Sequence, residues 1–164
     1  MYFKSSLDKL TIVITSLVFL MFLSMTIGPF IGWFNAKTPM LIVTSFLWLI
    51  FMFCYLIKVK GYKVTPSKII IDRLFLKKDL PIDSISEVRL LDKKETRYTL
   101  RIMGVGGVFG YYGEMWSAKL GNSTWYSTKY SSLVLIRVKK KKYVVSPDDR
   151  EKFVAQVSSY SKSA

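Results

Sequence analysis

Two uncharged apolar runs near the start of this chain restrict its fold more than anything else in it. The first, residues 10–34, reads LTIVITSLVFLMFLSMTIGPFIGWF, and the second, residues 40–57, reads MLIVTSFLWLIFMFCYLI. At 1.5 Å of rise per residue, about 20 such residues cross the hydrocarbon of a bilayer. Only the polar link NAKTP separates the runs. Two spans joined so tightly are expected to be antiparallel neighbours, a transmembrane hairpin. A cleaved signal peptide is the alternative for the first run. That run is too long for such a segment, no small-x-small cleavage site follows, and a second span comes at once. Gly28-Pro29 is expected to kink or end the first helix, because proline lacks the N–H that a helix interior needs. Trp33 and Phe34 suit an interfacial aromatic belt. Trp48 falls mid-span and is expected to pack on the first helix.

Lysines orient the hairpin. Lys4 and Lys9 precede the first span, Lys58, Lys60 and Lys63 follow the second, and only Lys37 lies between. The positive-inside rule then puts both termini on the cytoplasmic side. Cys54 is the only cysteine and lies within the second span, so no intramolecular disulfide can form.

The division that follows is an N-terminal segment and hairpin over 1–59 and one small domain over 60–164. The domain has 21 Lys and Arg against 10 Asp and Glu. Its pattern is mostly strand. GYKVT, the turn PSK and IIIDRLFL read as a hairpin. LPIDSISEVRLL alternates imperfectly, so a turn is expected within it. TRYTLRIM, STWYST, SLVLIRV and KYVVS complete about seven short strands, the last two joined by a tight lysine turn. At the end, Ser146 is expected to cap a helix with Pro147 in its first position, and Asp148 and Asp149 near its positive end. Phe153, Val154, Val157 and Tyr160 recur at helical spacing on one face.

MGVGGVFGYYGEMW, residues 103–116, is the segment with the most glycine. A Walker loop requires a lysine followed by Ser or Thr after its last glycine, and none is present. A Rossmann fingerprint fails because Phe109 stands at the third glycine position. The segment is therefore expected to be an irregular linker over the mouth of a barrel, with aromatics plugging the core. Tyr111, Tyr112, Met115 and Trp116 are its candidates for an interfacial contact, since Tyr and Trp favour places where apolar meets wet.

These pieces together resemble the bacterial pleckstrin-homology-like domains, in particular those tethered by an N-terminal transmembrane hairpin. The resembling residues are YKVTPSKIIID, LPIDSISEVRLL, GVGGVFGYYG with LGNSTWYST, LVLIRV and YVVSPDDREKFV, roughly Gly61 to Val157. The resemblance implies an α+β, mainly β fold: a seven-stranded, strongly bent antiparallel barrel or sandwich closed by a C-terminal capping helix. It implies no enzymatic activity.

Catalysis has little material here. Histidine is absent, the lone cysteine is in a span, and no GxSxG occurs. No cofactor or metal is expected. The sharpest charge feature is Lys139, Lys140, Lys141 and Lys142, a solvated hairpin tip or a contact for anionic lipid, with Lys63 and Lys68 flanking another turn. Nucleic acid is not expected, since no recognition motif accompanies the charge. The expectation is a multi-pass protein of the bacterial inner membrane, with a non-enzymatic domain that binds another protein or itself. Sensing an anionic lipid surface is the alternative.

Overall fold

The computed structural model describes residues 1–31 and 37–161. The chain opens with a strand that its sequence does not announce, β1 (Tyr2–Lys4). Two long helices follow, α1 (Lys9–Ile27) and α2 (Lys37–Leu56). Both are long and apolar enough to cross a membrane, and their side chains are mostly exposed. α1 stops where Gly28-Pro29 was expected to stop it; the Gly28 N–H donates to the Ser24 carbonyl at 2.8 Å. α2 starts earlier than the second apolar run, within the link. Trp48 does pack on the first helix. Its indole meets Phe19 and Phe22 edge-on, and its Nε1–H donates to Thr26 Oγ1 at 3.1 Å. That bond satisfies the one polar atom of the half-buried indole. Trp33 and Phe34, expected in an aromatic belt, lie outside the described residues.

Beyond α2 the chain turns to strands: β2 (Val59–Val64), β3 (Lys68–Arg73) and β4 (Lys78–Pro81). A 3-10 turn (Ile82–Ser84) then leads to β5 (Ile85–Leu90). That turn is the interruption expected in LPIDSISEVRLL. A one-turn helix α3 (Lys93–Thr96) precedes β6 (Thr99–Gly106), β7 (Tyr111–Ser117), β8 (Gly121–Ser127), β9 (Val134–Val138), β10 (Lys141–Val145) and the closing helix α4 (Arg150–Ser161). Arg89 holds α3 to β5. Its guanidinium grips Glu95 at 2.7 and 2.8 Å and Glu87 at 2.8 Å. The Arg89 hydrogen bond holds the Glu95 carboxyl down to about 2.

The strands form a four-stranded sheet in the order β1-β2-β3-β4 and a six-stranded sheet in the order β5-β9-β10-β8-β7-β6. Among the described residues the domain thus has nine strands, β2 to β10, where about seven were expected, and β1 adds a tenth. One neighbouring pair, β8 with β10, is parallel. Side chains alternate between the faces of the six-stranded sheet. Val134, Ile136, Tyr143 and Val145 face the four-stranded sheet and α4. Leu135, Val144 and Trp125 fill a second core on the other face with Tyr111, Met115 and Leu133. Phe153 and Val157 of α4 are fully buried, as their spacing implies.

Two expectations are corrected. The glycine-rich segment is no irregular linker: β6 and β7 run through it as a regular antiparallel hairpin, with Gly104 paired to Gly113. Glycines break the side-chain alternation that marks a strand, but they leave backbone pairing intact. Ser146 does not cap the last helix, and Pro147 is not its first residue, because α4 starts at Arg150. Asp149 sits at its N-terminus and accepts from the Lys152 N–H at 3.3 Å. Ser146 is taken up instead by the hydroxyl cluster described below.

Candidate functional site

The site is the junction where the helix pair meets the domain. It begins with the N-cap of α1. One oxygen of Asp8 accepts the Thr11 N–H at 2.8 Å, and the other accepts the Tyr130 N–H at 3.2 Å. A single carboxylate therefore caps the helix and fastens it to the loop before β9. Beside it lies a buried hydroxyl cluster. Ser5 Oγ contacts Thr128 Oγ1 at 2.7 Å and donates to the Ser146 carbonyl at 2.9 Å. Thr128 N–H donates to Ser146 Oγ at 2.9 Å, and Thr128 Oγ1 donates to the Ser6 carbonyl at 2.7 Å. Such groups are costly to bury unpaired, so their mutual bonding fixes the relative position of three distant segments. Burial alone would raise the Asp148 carboxyl, but bonds from Lys129 and Ser6 outweigh it and hold it below its usual range.

β1 continues this stitching. It pairs with β2, so that Phe3 faces Tyr62, and its buried ring meets Phe153 edge-on at 5.2 Å. Tyr62 is fully buried. Its hydroxyl donates to the Tyr126 carbonyl at 2.6 Å and accepts the Ser146 N–H at 3.0 Å. Burial pushes this phenol's pKa up, so it remains a neutral donor.

The tip of the β6–β7 hairpin forms the other half of the junction. The Gly107 N–H donates to the Gly110 carbonyl at 2.9 Å, closing a tight turn with Phe109 at φ 56°. Few non-glycine residues hold a positive φ. Here the strained residue is anchored on both sides. Its N–H donates to Thr15 Oγ1 of α1 at 3.0 Å, and its carbonyl accepts the Tyr112 hydroxyl at 2.5 Å. The ring lies 5.0 Å from Phe51 and 5.4 Å from Tyr55 of α2. It forms one wall of an apolar crevice of about 640 Å³ between the helices, with Phe19, Trp48 and Phe51 among the others. The Tyr112 hydroxyl also accepts the Val59 N–H at 3.3 Å, at the start of β2. Its pKa is pushed up, first by burial. One tyrosine thus joins the hairpin tip to the first residue of β2. The glycine segment packs against both helices, a placement that no motif in the sequence marks.

The expected contact residues fall in different places. Tyr111, Tyr112 and Met115 are buried, the first and third in the second core and Tyr112 in the main one. Trp116 is exposed and sits opposite Leu100 of β6. The lysine turn lies at the far end of the domain. β10 runs from Lys141 to Val145, and it is Ser146, at the other end, that joins the hydroxyl cluster beside α1. At about 3.3 Å per residue, the turn stands more than 10 Å further out. Lys63 and Lys68 flank the β2–β3 turn, also distal, since β2 starts two residues after α2. Lys68 pairs with Asp79 at 2.6 Å. A polar hollow of about 310 Å³ beside the lysine turn is lined by Lys78, Lys140, Lys141, Lys142, Glu114 and Thr124, and Lys142 Nζ donates to the Leu120 carbonyl. No group of His, Cys, Asp and Glu that could hold a metal occurs among the described residues.

Sequence reasoning left one surface without named residues. β6 is the last strand of its sheet, and no strand covers its outer edge among the described residues. Leu100, Ile102 and Met103 are 64, 55 and 72% exposed. Folded proteins normally guard such an edge with charge, a bulge or a covering element. β6 has a bulge at Ile102 and a charge at Arg101, but the apolar side chains around them stand open.

The bacterial PH domain family model matches residues 60–161, which covers all the strands from β3 to β10, α4 and nearly all of β2. This family is generally non-catalytic, and its fold supports interaction modules. No curated protein and no solved structure matches the chain significantly. With well over half of its length matched and the two sheets and closing helix in place, the chain belongs to the bacterial PH domain family.

Proposed function

We propose that this protein is a membrane-anchored, non-enzymatic interaction module, and that it binds an extended protein segment along the open edge of β6. The anchor is the helix pair within residues 1–59, and the working part is the domain over 60–164, with β1 lent to it from the anchor side. A helix of this length in the core of a soluble protein is mostly buried, whereas here both helices expose apolar side chains along their length. The lysine distribution favours both termini on the cytoplasmic side of a bacterial inner membrane.

The observation behind the binding mode is the uncovered β6 edge with Leu100, Ile102 and Met103 exposed. An added strand gains main-chain hydrogen bonds from such an edge, and alternate side chains provide specificity. Arg101 on β6 favours acidic residues in the partner. The junction holds this edge at a fixed attitude to the helices, which reduces the entropy lost on binding.

A photo-crosslinker at Ile102 in the full chain, in native membranes, tests this. It is expected to give one discrete protein adduct, while the same group at Ser86, on the opposite edge of the sheet, gives none. An adduct of twice the chain's mass identifies the partner as a second copy. With the crosslinker kept at Ile102, Leu100→Lys with Met103→Lys abolishes the adduct and leaves the thermal midpoint nearly unchanged, since exposed substitutions usually stay within about 0.5 kcal/mol. Equal crosslinking at Ser86, or an adduct that survives both lysines, contradicts the reading.

A further inference from the structure

The loop between β3 and β4 carries three consecutive apolar residues in the open. Leu74, Phe75 and Leu76 are 36, 73 and 48% exposed. An exposed apolar run of this kind is unexpected in a water-facing turn, where Gly, Asn or Asp is usual. Its position is tightly set. The Phe75 N–H donates to the Leu56 carbonyl at 3.1 Å, and the Leu74 N–H donates to the Lys58 carbonyl at 3.2 Å. Leu56 ends α2, whose last carbonyls have no partner within the helix. The loop therefore caps the helix and lies level with its last turn. Arg73 stiffens it from within, donating through Nε to the Leu76 carbonyl at 2.8 Å.

We infer that this loop is a membrane finger. Leu74, Phe75 and Leu76 enter the same bilayer that the helix pair spans, at the boundary between headgroups and acyl chains. The inference rests on the reading of α1 and α2 as membrane spans. Three features of the structure select lipid as the occupant. A helix of 20 residues is about 30 Å long, the thickness of the hydrocarbon, so the end of α2 marks its boundary. The exposed side chains lie level with the end of α2, whose last turns also expose Phe53 and Tyr55. Two cations adjoin the loop, Lys58, whose carbonyl accepts the Leu74 N–H, and Lys77, the next residue after Leu76, as anionic headgroups favour. The capping bonds remove two backbone donors that could not otherwise enter an apolar region unpaired. With the helices as a first attachment, the finger is a second, off-axis one. It resists tilting of the domain about the end of α2 and so sets the height of the β6 edge above the membrane.

The full chain, with Cys54→Ala, is reconstituted in vesicles of mixed anionic and neutral phospholipid. A single cysteine is placed at Phe75, at Leu20 in α1 or at Lys140 in the distal lysine turn, and labelled with an environment-sensitive fluorophore. Lipids brominated high on the acyl chain are expected to quench the label at Phe75 and not the one at Lys140, while the label at Leu20 is quenched by deep bromines. Quenching at Leu20 with a water-like, unquenched label at Phe75 overturns the finger and leaves the spans standing. No quenching at Leu20 overturns the spans and the finger with them. Phe75 is largely exposed, so its replacement leaves the fold intact.

Discussion

Alanine at Gly104 unseats the tip of the β6–β7 hairpin from the helices. Gly104 and Gly113 face each other across the ladder at φ 122° and 119°, a region that L side chains rarely adopt. A Cβ at Gly104 would stand 2.0 Å from the Tyr112 carbonyl oxygen and 2.8 Å from the Gly113 Cα. At Gly113 it would meet the Met103 carbonyl oxygen at 2.2 Å. These are backbone atoms of a paired strand and cannot rotate away. The backbone strain alone is about 1–3 kcal/mol, and the ladder must part to relieve the contact. Tyr112 then loses its register, and with it the bonds to Phe109 and Val59. Amide exchange over residues 103–113 is expected to accelerate roughly tenfold or more, at about 1.4 kcal/mol per factor of ten. The cores around Ile71 and Phe153 keep their protection. Unchanged exchange in the Gly104→Ala protein would show that the hairpin is not held by this pairing.

The second large effect belongs to Phe153. Its ring is fully buried and meets Phe3 at 5.2 Å and Tyr62 at 5.9 Å. It is where the closing helix, the N-terminal strand and the tyrosine of the hydroxyl cluster converge. Phe153→Ala opens a cavity there and is expected to cost about 3–5 kcal/mol. The loss is not confined to α4. β1 is a strand of three residues, too short to stay paired once Phe3 has lost its ring partner, so β1 is expected to detach as well. Chemical denaturation in mild detergent measures the cost, and proteolysis near Lys4 reports the release of β1. A variant with the wild-type midpoint and a protected Lys4 would place the closure of the domain elsewhere.

Both effects concern contacts that the sequence shows poorly, and the reasons are physical. The two helices were legible because charge-free runs of that length have few other fates. Trp48 was legible because a mid-span indole needs a partner. β2 and β3 follow from the turn PSK between two strand-like runs, β9 and β10 from the lysine turn between two more, and the face of α4 from its spacing. β1 left no such mark. Tyr2, Phe3 and Lys4 are three ordinary residues, and their partners lie about sixty positions away. The β6–β7 hairpin was hidden by the glycines that make it possible, since a residue without a side chain shows no alternation. Ser146 has the chemistry of a cap, but a neighbouring cluster of hydroxyls used it first. Leu74 to Leu76 read as the continuation of a strand. β3 ends at Arg73, and the next N–H groups turn to the Lys58 carbonyl and to the Leu56 carbonyl that ends α2. The family resemblance was legible from short pieces of the domain, and the family match covers all of them.

The junction gives the domain its meaning in this account. Asp8, the hydroxyl cluster and Phe109 each tie the helix side to the domain through a different element, and Tyr112 braces the hairpin that carries Phe109. An interaction surface on β6 and a lipid-dipping loop have a defined height only if the helices span a membrane in the direction that the lysines indicate. That orientation is the central claim, and impermeant maleimide labelling of intact and permeabilised spheroplasts tests it most directly. In a Cys54→Ala background, a cysteine at Thr38, in the first turn of α2, is expected to label in intact spheroplasts. A cysteine at Ser86, on β5 of the domain, is expected to label only after permeabilisation. Labelling of both positions from the same side would contradict the account.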